Sequence, residues 1–248
     1  MEWQEQDGVR WLEAELPGAR AAFSTRLGGV SEAPFVTLNL GILTGDERAA
    51  VLENRARLAA ALGLQPDRVL MGLQVHGSEL LEHRSAQDPS PFAHPGSPLA
   101  EVDGHLTATP GLAPLVLVAD CLPVALSGPG RVAMLHCGWR GLAAGIVARG
   151  AAAVGAERAA IGPGIGPCCY EVGPEVLERF AELGDGVADG RMLDLAEVAR
   201  RQLRAAGVER IESAEICTSC EPELFFSHRR DGERSGRQAG LVYLREGG

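Results

Sequence analysis

Two apolar runs, PLVLVADCLPVAL and RVAMLHC, lie on either side of a Ser-Gly-Pro-Gly segment between residues 114 and 137, and they limit the fold more than any other stretch of the chain. Runs of this kind, bounded by turn residues, read as strands, and a break this short between them joins neighbours as a hairpin. An even loop such as the four residues Ser127 to Gly130 pairs Leu126 with Arg131, so that residue numbers across the ladder sum to 257 and Cys121 stands opposite His136. Directly opposed residues have Cβ atoms about 4.5–5.5 Å apart, within reach of a shared ion or proton. An odd loop pairs His136 with Leu122 instead, and Pro123 removes a ladder donor, so the register is conditional.

Further strands are expected at RAAFST, RVLMGLQVH, AAIGPGIG, AEICTSC and GLVYL. Helical punctuation falls between them. Asp46 stands as an N-cap before ERAAVLENRARLAAAL and Gly63 follows it; Asp194 precedes LAEVARRQLRAA and Gly207 ends it. Pro174 opens a helix through EVLERFAEL, and another is expected across GLAAGIVARGAAAV. Strands and helices mix without a regular βαβ rhythm, which favours α+β over a doubly wound parallel sheet. The proline-rich segment 87–101 reads as a surface loop inside a single domain spanning residues 1–248, with a domain boundary there as the second choice.

Composition removes several classes of function. A formal charge of −10 argues against a broad nucleic-acid surface. All 23 basic residues are arginine, which excludes a lysine Schiff base and a P-loop lysine. No apolar run nears the roughly 20 residues that span a bilayer, and MEWQEQDGVRW lacks the basic and apolar parts of a signal peptide, so the expected location is cytoplasmic and off the membrane. Six cysteines in 248 residues do not make the dense framework of a small secreted domain.

For chemistry, His76 in GLQVHGS joins Cys121 and His136 as a third candidate. One thiolate and two imidazoles make a legitimate zinc set whose fourth position stays open, as in catalytic sites. An inert buried thiol among core histidines is the plainer alternative from pattern alone. The CTSC at Cys217 and Cys220 has half-site spacing without a second CxxC, and reads as coincidence; adjacent Cys168 and Cys169 are awkward partners for a mutual disulfide. Arg229, Arg230, Arg234 and Arg237 crowd nine residues of FFSHRRDGERSGR, and Arg26 lies in the glycine-bearing STRLGGVS; arginine forks in such turns suit phosphate.

Taken in order, STRLGGVS with LNLG, QVHG, VADCLPV, LHCGWRGLAAGI, IGPGIGPCCYEVG and FFSHRRDG with SGR resemble the laccase-domain family, the YfiH or peptidoglycan editing factor type, over about residues 23–244. The resemblance implies metal ligands at His76, Cys121 and His136, which would also be the catalytic residues. It implies packed mixed β-sheets flanked by helices in αββα layers, similar to a cysteine-histidine hydrolase toxin domain. The implied activity is zinc-dependent phosphorolysis of adenosine and inosine, with methylthioadenosine as a further substrate, and deamination of adenosine. Arg140 of GWRG, Arg229, Arg230 and Arg26 are then the expected phosphate-binding residues. Asp103, Asp120 and Glu171 are candidates for the general acid or base by their place in the matching words. Expected partners are a nucleoside and phosphate, with a monomer or small homo-oligomer as the state of assembly. Gly164, Cys137 and His228 depart from the residues common in the family at those positions. The rival readings are a copper polyphenol oxidase, a metal-free hydrolase of peptidoglycan precursors with Cys121 as nucleophile and His136 as base, and a non-enzymatic protein held by zinc.

Overall fold

Residues 1–245 are described by a computed structural model, and among them two six-stranded sheets carry the architecture. Pleating explains how one strand serves two cores. In Val9–Leu16, Leu12, Ala14 and Leu16 bury on one face while Val9 and Trp11 bury on the other. The first sheet runs in the order Glu2–Gln6, Val9–Leu16, Ala19–Ser24, Gln238–Leu244, Ala113–Val118 and Val69–Leu70. The second runs Arg210–Ser213, Arg158–Ile161, Leu122–Gly128, Arg131–Cys137, Gly104–Thr107 and Leu80–His83. Both are mixed, with the parallel pairs at their edges.

The two inner faces pack on each other through Phe23, Val116, Val118, Ala125, Val132 and Met134. On the far side of the first sheet, the helix Arg48–Ala61 packs Leu58 and Ala59 against Trp11, Leu115 and Leu241. Outside the second, Val147 and Val154 of the helix Ile146–Val154, with Val198 and Leu203 of Leu195–Ala205, cover Val124, Leu126 and Leu135. The result is the expected αββα layering. Strands apolar on both faces are what a sheet covered on both sides needs.

The hairpin forms with an even loop, but the turn is shorter than the four residues expected. Gly128 pairs with Arg131 across Pro129–Gly130, so paired numbers sum to 259, Pro123 stands opposite His136, and Cys121 lies outside the strand. Parity is kept, so the Cys121 end of the chain stays on His136's side of the sheet. PLVLVADCLPVAL is not one strand: Ala113–Val118 belongs to the first sheet and Leu122–Gly128 to the second, so the chain changes sheets across Ala119–Cys121.

Other boundaries shift for identifiable reasons. The first helix begins at Arg48 with Glu47 in the cap position, because the Asp46 carboxylate is engaged by the Ser31 hydroxyl at 2.6 Å and the Asn39 amide at 2.9 Å. Asp194 does cap its helix, accepting from the Glu197 N–H at 2.9 Å. The alanine-rich helix splits into Trp139–Ala143 and Ile146–Val154, and EVLERFAEL tightens from an α-turn to 3₁₀ geometry at Glu178. In RVLMGLQVH only Val69–Leu70 pairs as a strand, and AEICTSC makes a single bridge from Cys217 to Gly164.

The proline-rich loop is fastened to the core through Arg55. This side chain is 2% exposed, donates to the carbonyls of Leu40 (2.9 Å), Pro91 (3.1 Å) and Phe92 (3.0 Å), and places its guanidinium 5.2 Å from the Phe92 ring centroid. Burial, and then the charge of Arg48, pull its pKa down to about 10, which leaves it protonated at neutral pH. Replacing Arg55 with Leu orphans these buried carbonyls, and chemical denaturation is expected to show a loss of about 1.5–3 kcal/mol, the range for removing a charged donor.

Candidate metal centre

His76, Cys121 and His136 converge although they come from three separate segments: their candidate ligand atoms lie within 4.8 Å of one another. Asp103, just before the strand Gly104–Thr107 and fully buried, organises two of them. Its carboxylate accepts the backbone N–H groups of Val75 (3.1 Å), His76 (2.9 Å) and Gly77 (2.7 Å) and the Nδ1–H of His136 (2.8 Å). This fixes the ring of His136 and leaves Nε2 as its ligand atom, the usual arrangement for a carboxylate behind a metal-binding histidine. The same three N–H bonds hold His76 in a left-handed backbone conformation at φ 60°, which is costly for a residue with a side chain. Asp103 thus orients the ligands, and its engagement with four donors is a different task from that of a general acid or base.

Asp120 plays a parallel part beside Cys121. Its own φ is 89°, and its carboxylate accepts the Thr218 hydroxyl at 2.7 Å and the Arg229 N–H at 2.6 Å, while its carbonyl accepts the Ile165 N–H at 2.8 Å. These contacts join the sheet-changing segment to the two loops beyond it. Glu171 turns away, half-exposed, and pairs with Arg191 at 3.0 Å.

The rings of His76 and His136 meet edge-on with centroids 4.9 Å apart. Gly138 makes room for the cluster, since a Cβ there would stand 2.9 Å from the Cys121 sulfur and 3.2 Å from Cδ2 of His76. Burial alone would raise the Cys121 thiol, but the adjacent imidazoles of His136 and His76 outweigh it and bring it down to about 6. A thiolate is the form that binds metal. The donor set therefore fits a zinc ion with a fourth position open, or copper, which takes the same two-histidine, one-cysteine set.

The cluster lines a cleft of about 600 Å³, a size typical of small-molecule sites. Four arginines line it: Arg55, whose guanidinium is given to backbone carbonyls, and Arg140, Arg229 and Arg237. Arg140 lies over the Trp139 ring at 4.4 Å and Arg229 over Tyr170 at 5.0 Å. Burial, followed by the charge of Cys121, pushes the Tyr170 phenol up to about 12, so it enters the cleft as a hydrogen-bond donor. His228 also lines the cleft, with Nδ1 turned to the Gly232 carbonyl at 3.0 Å, which leaves Nε2 free.

Two of the expected phosphate-binding arginines are not among the residues that line this cleft. Arg26 spends its guanidinium on the carbonyls of Val36 (2.6 Å) and Pro222 (2.8 Å) and lies over Phe226 at 4.5 Å. Arg230 bonds the carbonyls of Thr218, Ser219 and Phe225 and the Asp231 carboxylate. Both serve as backbone ties. Arg237, one of the four crowded arginines of the FFSHRRDGERSGR segment, does line the cleft, and Tyr170 lines it without having been singled out from the sequence; its signal was its place in PCCYEVG.

Fold and centre together define a laccase-type domain with a candidate three-donor metal site on an open cleft. The family model described as multi-copper polyphenol oxidoreductase laccase matches residues 20–245. The chain belongs to this laccase-domain, YfiH-type family. The purine nucleoside phosphorylase YlmD of Geobacillus stearothermophilus is 36% identical over 98% of this chain and 97% of its own. The purine nucleoside phosphorylase YfiH of Escherichia coli (strain K12) is 38% identical over 92% and 94%. Among solved structures, the hypothetical protein YfiH of Bacillus licheniformis superposes with a TM-score of 0.87 at 31% identity, covering 98% of this chain and 99% of that one. YlmD from Geobacillus stearothermophilus gives a TM-score of 0.87 at 36% identity, covering 98% of each. Among the described residues no helix is long and apolar enough to cross a membrane.

Proposed function

We propose that this chain is a zinc-dependent purine nucleoside phosphorylase acting on adenosine and inosine, with methylthioadenosine as a further substrate and adenosine deamination as a second activity. The observation that carries this reading is the juxtaposition of the His76, Cys121 and His136 donor set with Arg140, Arg229 and Arg237 around one cleft. The names of the relatives supply the reaction class.

In phosphorolysis a phosphate oxygen bonds to the anomeric carbon as the bond from that carbon to the purine nitrogen breaks, and the leaving purine takes up a proton. Positive charge builds on the ribose, so the attacking anion must be held close and pre-oriented. Arg140 and Arg229 are the leading groups for that task, each backed by an aromatic ring that fixes its plane. The Tyr170 phenol and His228 Nε2 are available to hydrogen-bond the purine or ribose. Zinc held by His76, Cys121 and His136 would polarise a substrate atom as a Lewis acid.

The oxidase reading has less support. A multicopper oxidase needs paired histidines for its trinuclear cluster, whereas this chain has six His and no His-x-His. Two of the six, His83 and His105, are bonded to each other at 3.0 Å in the interior.

Incubating the zinc-loaded protein with adenosine, with and without phosphate, tests the proposal. Adenine and ribose 1-phosphate formed only with phosphate are the expected products of phosphorolysis, and inosine that of deamination. Neither product appearing, with diphenol oxidation by the copper-loaded protein, would overturn it.

A further inference from the structure

The cysteines left aside by the first centre form a cluster of their own. Cys168 and Cys169 from the loop after Arg158–Ile161, and Cys217 and Cys220 from the turn before the FFSHRR segment, bring four sulfurs within 4.8 Å of one another. In sequence these are one adjacent pair and one isolated CxxC some fifty residues apart, and only the fold unites them. We propose that they constitute a second metal site, a closed tetrathiolate centre for zinc.

The spacing of the sulfurs matches that assignment. Zinc–thiolate bonds of about 2.3 Å at tetrahedral angles put sulfurs roughly 3.8 Å apart. Cys220 Sγ lies 3.5 Å from Cys168 Sγ and 3.4 Å from Cys169 Sγ. One sulfur near-equidistant from two others suits a shared ion, whereas a disulfide would select one of them. Four thiolates and no imidazole select zinc or iron over the harder divalent ions.

The backbone is arranged to bring the cysteines together. A turn closed by the Cys169 N–H on the Gly166 carbonyl at 3.0 Å points both adjacent cysteines at one place. Across from it, the Cys220 N–H bonds the Cys217 carbonyl at 3.1 Å and the Glu221 N–H the same carbonyl at 3.2 Å, which closes the second turn. Gly166 lets the two turns close on each other, since a Cβ there would stand 3.2 Å from Cys217 Cβ and 3.4 Å from Cys168 Sγ. The strands of the two turns are bridged at Gly164 and Cys217.

An ion at this place would tie together the segments that form one wall of the cleft. Tyr170 follows Cys169 directly. Arg229 donates to the Cys169 and Glu171 carbonyls at 3.5 and 3.0 Å, and Arg230 to the Thr218 and Ser219 carbonyls at 3.0 and 3.2 Å, so both cysteine-bearing turns are already braced by the arginine pair that follows His228. The two centres share no ligand, so the second can be filled when the first is disabled.

The test uses the full chain carrying Cys121→Ser, which disables the first donor set. After dialysis against zinc, elemental analysis is expected to find about one zinc per chain, and cobalt(II) in its place to give the intense thiolate charge-transfer and tetrahedral visible bands of four sulfur ligands. Adding Cys220→Ser should reduce the zinc to near zero; should that double variant fold poorly, the cobalt spectrum of the single variant decides. Thiol titration of the denatured, metal-stripped single variant should find five thiols, the six cysteines less Cys121. Three would indicate a disulfide and overturn the proposal. So would five thiols with no zinc bound to the folded protein, or iron in its place.

Discussion

Cys121→Ser is expected to abolish nucleoside turnover and metal at the first centre together. The serine hydroxyl stays protonated where the thiol does not, and it replaces the soft donor of a set whose other members are both imidazoles. Changes to mere supporting partners of metal ligands cost about 10–100-fold in affinity or activity, so the loss of a ligand itself should exceed about 100-fold. Elemental analysis beside a phosphorolysis assay checks the pair of effects. The same substitution disables a hydrolase with Cys121 as nucleophile, so stripping the wild-type protein of metal is the companion measurement. Inactivity restored by zinc supports the ligand role, and full activity in the stripped protein would establish the nucleophile.

Asp103→Asn should be nearly as severe and should act on the fold as well. The carboxylate is acceptor to four donors in a fully buried setting, and the amide offers them one oxygen and an NH₂ that faces other N–H groups. Burial alone would raise the Asp103 carboxyl, but the bond from His136 and those from the Gly77 and Val75 N–H groups hold it below its usual value of 3.8, so it is ionised at neutral pH. Breaking such a buried charged network costs about 3–5 kcal/mol. Urea denaturation should show this loss, and zinc titration a weakening of about 10–100-fold. A role as general base alone would instead leave stability and metal content intact while lowering the catalytic rate.

Much of this architecture is legible in the chain itself. Parity of the Ser-Gly-Pro-Gly turn keeps Cys121 and His136 on one side of the sheet whether paired numbers sum to 257 or 259. Which even length the turn takes was not legible, because Gly128 can either end a strand or belong to the loop. The sheet change at Ala119–Cys121 was hidden as well, since a strand passing between two covered sheets is as apolar as one that stays. His76 was expected at a strand end; its left-handed backbone depends on a carboxylate 27 residues away, which no local pattern encodes. The arginines divide for a similar reason. Arg26 and Arg229 look alike in their words and both donate to carbonyls, yet Arg26 gives Nε and Nη1 to Val36 and Pro222 away from the cleft, whereas Arg229 gives Nη1 to the loop of Cys169 and Glu171 and lines the cleft.

The change of sheets at Ala119–Cys121 has a consequence for the life history of the metal. His76 lies beyond Val69–Leu70 of the first sheet, His136 is the penultimate residue of Arg131–Cys137 in the second, and Cys121 lies on the stretch that passes between the sheets. The centre therefore straddles a seam. No half of the molecule holds the three donors alone, so an ion bound here would be expected to be captured only after the two layers have docked, as a clasp across them. Occupancy then serves as a gauge of that docking: substitutions at the seam, such as Val116 or Met134 to alanine, should loosen the ion before they unfold either layer.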